Sequence, residues 1–146
     1  MPLDHVMTTM RHFISQYERG VPGGFEKYLP QRDGDSGKCY VEAERVVSNA
    51  GLDSGLFLIH GKCRTTLEKQ DGHAWVEVPG GFVYDAVLGR VYLWTDYQRL
   101  LSASVEKRYS AKYVAALGHI ADNSGPWTEE EERAALAFLA GIGEKP

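Results

Sequence analysis

Apolar residues recur at three- and four-residue steps near the start of the chain, and this period predicts an amphipathic helix over Asp4–Tyr17. Gly20 and Pro22 follow, and both residue types end helices. Residues 20–38 are rich in glycine, proline and aspartate, which predicts a long loop. Loops of this length are often functional, and this one leads the chain to Cys39.

The helical period returns after this loop and predicts a second helix over about Gly37–Ala50. Asp35 or Ser36 is expected to cap its beginning, and Gly51 is expected to follow its end. The expected apolar face consists of Ala43, Val46, Val47 and Ala50. Cys39 falls on the same face, in the first turn of the helix.

Short runs with the alternating pattern of half-buried strands come next, separated by Gly, Pro and Asp. The predicted strands are Gly55–His60, Arg64–Leu67, Ala74–Val78, Phe82–Ala86 and Val91–Trp94. Because short connections join antiparallel neighbours, we expect a consecutive antiparallel meander.

Helical periodicity returns in the last third of the chain. Three helices are predicted, over Asp96–Ser102, Ser110–Ala121 and Thr128–Leu139. Ser110 is expected to cap the second of them, and Thr128 with Glu131 has the spacing of a capping box. This order of helices and consecutive strands is typical of an α+β protein.

The composition is that of one soluble globular domain. The sequence has 146 residues, 43% of them hydrophobic, and a formal net charge of -4 from 16 basic and 20 acidic residues. No basic stripe indicates nucleic acid, and no apolar run indicates a signal peptide or a membrane span. We therefore expect a protein that is cytoplasmic where it is synthesised, with no nucleic-acid or membrane partner. Its oligomeric state and any later delivery as an effector stay open.

The two cysteines, Cys39 and Cys63, are too few for a disulfide framework and form no Cys-x-x-Cys pair, so both are expected to be free thiols. A thiol attacks an acyl carbon as the thiolate, and the partial positive charge at a helix N-terminus favours that form. Cys39 has this position, where Lys38 adds positive charge and Asp35 opposes it. Its backbone N–H can also hold the oxyanion of a tetrahedral intermediate.

A hairpin over residues 72–85 carries two further candidates. If its Pro-Gly-Gly turn is centred on Pro79, His73 and Asp85 stand directly opposite each other on one face of the sheet. A carboxylate in that position accepts a hydrogen bond from the imidazole and fixes its tautomer. With Cys39, this pair supplies a nucleophile, a base and an orienting carboxylate.

The segments that carry these residues resemble those of a known family. Gly37-Lys-Cys-Tyr-Val-Glu-Ala43 resembles the start of the nucleophile helix in transglutaminases, and His73-Ala-Trp-Val-Glu-Val78 is similar to the histidine strand of transglutaminase-like proteins. Asp85 then follows on the next predicted strand, in the order that the family has. The resemblance covers about residues 37–86.

The resemblance implies a transglutaminase-like, papain-like α+β fold, in which the nucleophile helix packs on an antiparallel meander. The catalytic core is then residues 37–95, flanked by an N-terminal helix within residues 1–20 and C-terminal helices within residues 96–142 of the single domain. The short spacing from Cys39 to His73 implies a minimal core without calcium-binding insertions, and no cofactor is expected.

The family also implies a side-chain donor to the oxyanion and a lined cleft. By analogy with papain-like proteases we assign the donor to Gln31, and the cleft lining to Tyr40 and Trp75. The implied reaction passes through a Cys39 thioester, which water resolves in a peptidase or deamidase and an amine resolves in a crosslinking enzyme. Hydrolysis of a protein or peptide amide is favoured, because no second binding region for an amine donor is apparent.

Two interpretations without a thioester stay open. His60-Gly-Lys-Cys63 has a ligand-like spacing and, with Cys39 and His73, can form a metal site. Alternatively, the domain keeps the fold without turnover and binds a partner through aromatic residues, although most of these are expected in the core. The residues concerned are Tyr92, Trp94, Tyr97, Tyr109, Tyr113 and Trp127. His119, in a segment that can fold over the cleft, is a second candidate base.

Overall fold

The structure, a computed structural model, describes residues 14–35, 37–64 and 70–146 and contains a five-stranded antiparallel sheet between layers of helix. Its strands are β1 Phe57–Arg64, β2 Gln70–Val78, β3 Phe82–Asp85, β4 Arg90–Leu93 and β5 Ser104–Ser110. Its helices are α1 Cys39–Ala50, α2 Trp94–Leu101, α3 Ala111–Ile120 and α4 Glu129–Gly141, and a short 3-10 helix spans Ser15–Tyr17. The predicted α+β class is confirmed.

The strand order is β4-β3-β2-β1-β5, so β1 to β4 form the predicted consecutive meander. β5 was not expected, because five of its seven residues are exposed and the apolar alternation is lost. It joins the sheet through β1, where Leu58 pairs with Tyr109. The segment 96–142 is therefore not entirely helical, contrary to the prediction.

Two predicted elements change or lie outside the described residues. Arg64–Leu67 is not a separate strand, because Arg64 is the last residue of β1 and residues 65–69 lie outside the described part of the chain. The predicted helix Asp4–Tyr17 also lies outside it as far as residue 13. Ile14, the first residue that the structure describes, is buried in the core.

The beginning of α1 differs from the prediction, whereas its end agrees. The helix starts at Cys39, and the residue at its N-cap is Lys38, whose side chain makes no capping hydrogen bond. Asp35 therefore does not cap the helix; its carboxylate lies 3.9 Å from the Lys38 ammonium instead. Ser36 lies outside the described residues. Gly51 follows the helix with a φ of 93°, a conformation that favours glycine.

The predicted caps of the last two helices are confirmed. The Ser110 side chain accepts a hydrogen bond from the backbone N–H of Tyr113 in the first turn of α3. At α4, Thr128 and Glu131 form both hydrogen bonds of a capping box. These local rules work because the capping side chains act within one turn of their own helix.

Side chains of the sheet alternate between two apolar clusters, one on each face. On the first face, α1, α3 and α4 pack against β-strand residues that include Leu58, Ala74, Val76 and Tyr84. On the second face, α2 packs against Ile59, Trp75, Val83 and Tyr92. The sheet is therefore buried on both faces, and a polar side chain on either face needs a partner.

Gly61 is a point of close approach between β1, β5 and the second cluster. A Cβ on Gly61 would lie 2.0 Å from the Ser104 carbonyl oxygen and 2.8 Å from Cη2 of Trp75. We expect Gly61→Ala to lower the free energy of unfolding by about 1–3 kcal/mol, because β5 must move away. Urea unfolding measures this, with Gly20→Ala as control, where a Cβ meets nothing within 4 Å. Equal stability of the two variants would contradict the close packing.

Candidate active site

The candidate site forms where β2 extends beyond β3. The pairing of β2 with β3 begins only at Val76, opposite Tyr84, so the earlier part of β2, which includes His73, has no β3 partner. Ala43 of α1 belongs to the first apolar cluster, whereas Cys39 packs against the second. The N-terminus of α1 therefore reaches round this open edge of β2 to the face of the sheet that carries His73.

His73 and Asp85 meet as predicted, although in a different register. The ladder between β2 and β3 is centred on Gly80 rather than Pro79, because the turn takes three residues, with Gly80 and Gly81 at positive φ. Asp85 is therefore a diagonal neighbour of His73 instead of its direct partner. A shift of two positions in the pairing keeps both side chains on one face. Nε2 of His73 lies 3.0 Å from Oδ2 of Asp85.

The Asp85 carboxylate is fully buried and accepts hydrogen bonds at both oxygens. Its Oδ1 accepts from the backbone N–H groups of Val87 and Leu88, each at 3.0 Å. Its Oδ2 accepts from the Tyr97 hydroxyl at 2.7 Å as well as from His73. A buried carboxylate with four donors is stabilised in its charged form.

Charge coupling sets the protonation of the pair. Burial alone would raise the pKa of Asp85, but the neighbouring His73 and the hydrogen bonds lower it below its usual value. Burial alone would lower the pKa of His73, but the charge and hydrogen bond of Asp85, with a smaller contribution from Cys39, raise it above its usual value. The two side chains are therefore held as an imidazolium–carboxylate pair.

Cys39 completes the series from the other side of the imidazole. It is half-buried, and its thiol lies next to the His73 imidazole, whose pKa it helps to raise. Because Nε2 of His73 faces Asp85, Nδ1 is the ring nitrogen available to the thiol. Cys63 differs: it is fully buried, and burial raises the pKa of its thiol. The structure thus separates an accessible thiol from an enclosed one.

The three residues assigned to the oxyanion and the cleft have different positions. Gln31 is exposed in the loop before α1. Tyr40 lies edge-on to His60, with ring centroids 4.7 Å apart. Trp75 is only 1% exposed, and its ring centroid lies 6.1 Å from that of His73. Trp75 therefore supports the imidazole from within the core, and the backbone N–H groups at the start of α1 remain the best candidates to hold an oxyanion.

The role of Tyr97 could not be predicted from the sequence. Its ring is buried, as expected for most of the aromatic residues. However, its hydroxyl donates to Asp85, which lies in β3. No local pattern connects a residue in the first turns of α2 with the end of β3, because their contact depends on how that helix packs under the sheet.

The metal interpretation is not supported by the arrangement of β1. His60 pairs with Ala74 and contacts the first cluster, whereas Cys63 belongs to the second, on the opposite face. Within the described ranges, no group of three or more His, Cys, Asp or Glu side chains is placed to hold a metal ion. The two residues of the ligand-like spacing thus point away from each other.

Partner binding through aromatic residues and a second base at His119 also lose support. Of the aromatic residues considered for partner binding, those buried in the core are Tyr92, Tyr97, Tyr109 and Trp127.

His119, the second candidate base, lies against Phe138, with ring centroids 4.8 Å apart, and does not lie beside His73. The segment that precedes α4 stacks Trp127 on His60, on the face of the sheet opposite the site. It therefore does not close over the imidazole of His73.

Comparison with known proteins does not assign the chain to a family. No protein-family model, curated protein or solved structure matches the chain at a significant level. None of the helices in the described part of the chain is long and apolar enough to span a bilayer. The geometry itself defines the class: an α+β domain that places a thiol next to a buried, hydrogen-bonded imidazole–carboxylate pair.

Proposed function

We propose that this protein is a cysteine-dependent enzyme of the transglutaminase-like type, which acts on an amide of a protein or peptide. The observation that carries the proposal is the series Cys39, His73 and Asp85, in which Nε2 of His73 lies 3.0 Å from the carboxylate and the thiol lies next to the same ring. These are the residue types and contacts that nucleophilic catalysis by a thiol requires.

A structural role alone explains the series poorly. Removing two charged groups from water costs several kcal/mol per ion by order of magnitude, and replacing a buried ion pair by apolar residues is often neutral or stabilising. Asp85 and His73 are nevertheless buried together, beside a half-exposed cysteine at a helix N-terminus. Perturbed titratable groups next to a nucleophile are typical of functional sites.

The first half of the reaction forms a thioester. Cys39 attacks the amide carbonyl carbon as the thiolate, because its proton already resides on Nδ1 of the His73 imidazolium. The carbonyl oxygen takes up the electron pair of the C=O bond, and N–H groups at the start of α1 stabilise this oxyanion. When the C–N bond breaks, His73 returns the proton to the departing nitrogen, which leaves as ammonia or an amine.

The second half resolves the thioester. A water molecule gives one proton to the neutral His73 and attacks the acyl carbon, and the thiolate leaves, which restores the thiolate–imidazolium pair. The product is a carboxylic acid. An amine acceptor in place of water would give an acyl transferase instead. We favour hydrolysis, as a peptidase or deamidase, because the sequence indicates no second binding region for an amine donor.

The reactivity of Cys39 tests this proposal without a known substrate. At about pH 6.5, roughly two units below the usual pKa of a thiol, we expect iodoacetamide to alkylate Cys39 rapidly. His73→Ala should slow that reaction about tenfold or more, because the imidazolium that stabilises the thiolate is gone. Peptide mass mapping separates Cys39 from the enclosed Cys63.

An exposed histidine gives a matched control for this experiment. His119→Ala removes an imidazole that lies against Phe138 and should leave the alkylation rate of Cys39 unchanged. If wild-type Cys39 reacts no faster at this pH than the cysteine of an unstructured peptide, the thiol-enzyme proposal is wrong.

A further inference from the structure

Tyr97 contributes a hydrogen bond that the reaction scheme does not use. Its hydroxyl lies 2.7 Å from Oδ2 of Asp85, and the same oxygen lies 3.0 Å from Nε2 of His73. Tyr97 is 1% exposed, so solvent water does not compete with its hydroxyl for the hydrogen bond to Asp85. One carboxylate oxygen is therefore shared between the imidazole and a phenol.

The direction of this hydrogen bond follows from counting protons. Asp85 is ionised and accepts hydrogen bonds only, so the single proton of the Tyr97 hydroxyl is donated to it. The Cys63 thiol lies next to this hydroxyl, and burial raises the pKa of the thiol, which therefore stays uncharged at neutral pH. The hydrogen bond of the Tyr97 hydroxyl goes to Asp85.

The surrounding core fixes the Tyr97 ring. Its centroid lies 5.6 Å from Trp75, 5.9 Å from Tyr92 and 6.5 Å from Trp94. Trp94, the first residue of α2, donates its backbone N–H to the Gly81 carbonyl oxygen at 2.8 Å. The hairpin that carries His73 and the helix that carries Tyr97 are thus tied together, which holds the hydroxyl in place.

We propose that Tyr97 is a positioning residue that limits the basicity of His73 by donating to the carboxylate oxygen that His73 shares. This inference rests on the proposed function, in which His73 both accepts and returns a proton. A donor at Oδ2 takes up part of the negative charge of Asp85 and so weakens its hold on the imidazolium proton.

The limit on basicity has a purpose in the reaction scheme. An imidazolium that is held too strongly returns its proton to the leaving nitrogen too slowly, because the best acid–base catalyst has a pKa near the working pH. Asp85 alone, with its charge buried, would pull the protonation of His73 far in one direction. Tyr97 from α2 opposes this pull, and two further titratable groups lie nearby, Cys39 from α1 and Cys63 from β1.

The test is the titration of the His73 ring by NMR in the Cys39→Ala background, which removes the coupled titration of the thiol. In Tyr97→Phe the midpoint is expected to rise by about half a pH unit or more, since one unit equals about 1.4 kcal/mol and a hydrogen bond to a charged group is worth about that much. The matched control is Tyr84→Phe, which removes the hydroxyl of a tyrosine whose exposed fraction is the same, and that hydroxyl donates to the Pro30 carbonyl on the other face of the sheet.

A second variant keeps the test decisive if Tyr97→Phe does not fold. Site-specific 3-fluorotyrosine at position 97 retains the ring and makes the hydroxyl a stronger donor, so the His73 midpoint should fall. A midpoint that stays unchanged or moves in the opposite direction in these variants overturns the inference, as does an equal rise in Tyr84→Phe. Alkylation of wild-type Cys39 reports separately on the proposed function, so failure of one proposal is distinguishable from failure of the other.

Discussion

Cys39→Ala is expected to abolish the amide-directed activity while the protein stays folded. The variant removes the only atom that forms the thioester, and loss of a nucleophile lowers kcat by about 10⁴-fold or more in enzymes of this kind. Stability should change little, because Cys39 is half-buried at the first position of α1 and alanine is a good helix former. Release of ammonia or of new amino groups from a peptide pool, together with the urea unfolding midpoint, measures both effects.

Graded controls sharpen this prediction. Cys63→Ser should keep activity, because the thiol of Cys63 is enclosed in the core and takes no part in the thioester chemistry. His73→Ala should lose nearly as much activity as Cys39→Ala. Asp85→Asn should lose less than either, since the asparagine can still hold the ring although it carries no charge. Full activity of Cys39→Ala would sink the thioester mechanism.

Alternation along the strands made the site predictable. The sequence placed the centre of the hairpin at Pro79, whereas the ladder is centred on Gly80. The pairing changes by two positions, and the period of a strand is two, so His73 and Asp85 stay on one face. Only a shift by one position would have separated them. The contact between His73 and Asp85 was therefore predicted correctly, although the predicted register was wrong.

The same alternation argues against the metal interpretation at the level of sequence. His60 and Cys63 are three residues apart, and an odd spacing sends them to opposite faces of a regular strand. The structure extends β1 through both residues, and they join different clusters. A ligand-like spacing therefore carries weight on a turn or loop, and little weight within a strand.

Contacts made across the fold were not predictable. β5 has exposed side chains along most of its length, and it is a strand because its backbone pairs with β1. Tyr97 reaches Asp85 because α2 packs on the second face of the sheet. Both features depend on tertiary pairing, which neither periodicity nor capping rules contain. Features that act within one turn, such as the capping box at Thr128, were predicted correctly.

Asp85→Ala is expected to cost the most stability of any variant considered, about 3–5 kcal/mol near pH 5. The change leaves the buried His73 without its counter-ion and the Val87 and Leu88 N–H groups without their acceptor. Asp85→Asn is the matched control, because it removes the charge but keeps an acceptor for those two N–H groups. The difference between the variants therefore separates the charge from the backbone hydrogen bonds.

The cost of Asp85→Ala should also depend on pH in a defined direction. In the wild type the pKa of His73 is raised, so the contribution of the pair is complete below about pH 6.5 and is lost as the pH rises towards the raised pKa. In the variant, burial is the main remaining influence and lowers the pKa of His73, so the variant loses stability as the pH falls below about 6.5.

The cost of Asp85→Ala should therefore shrink steadily from about pH 5 to about pH 8, by at most about 1.4 kcal/mol per pH unit. Because the pKa of Asp85 is lowered, its own contribution persists throughout this range. Urea unfolding of both proteins at constant ionic strength measures the trend, and a cost independent of pH would mean that His73 is neutral beside Asp85, which contradicts the imidazolium–carboxylate pair.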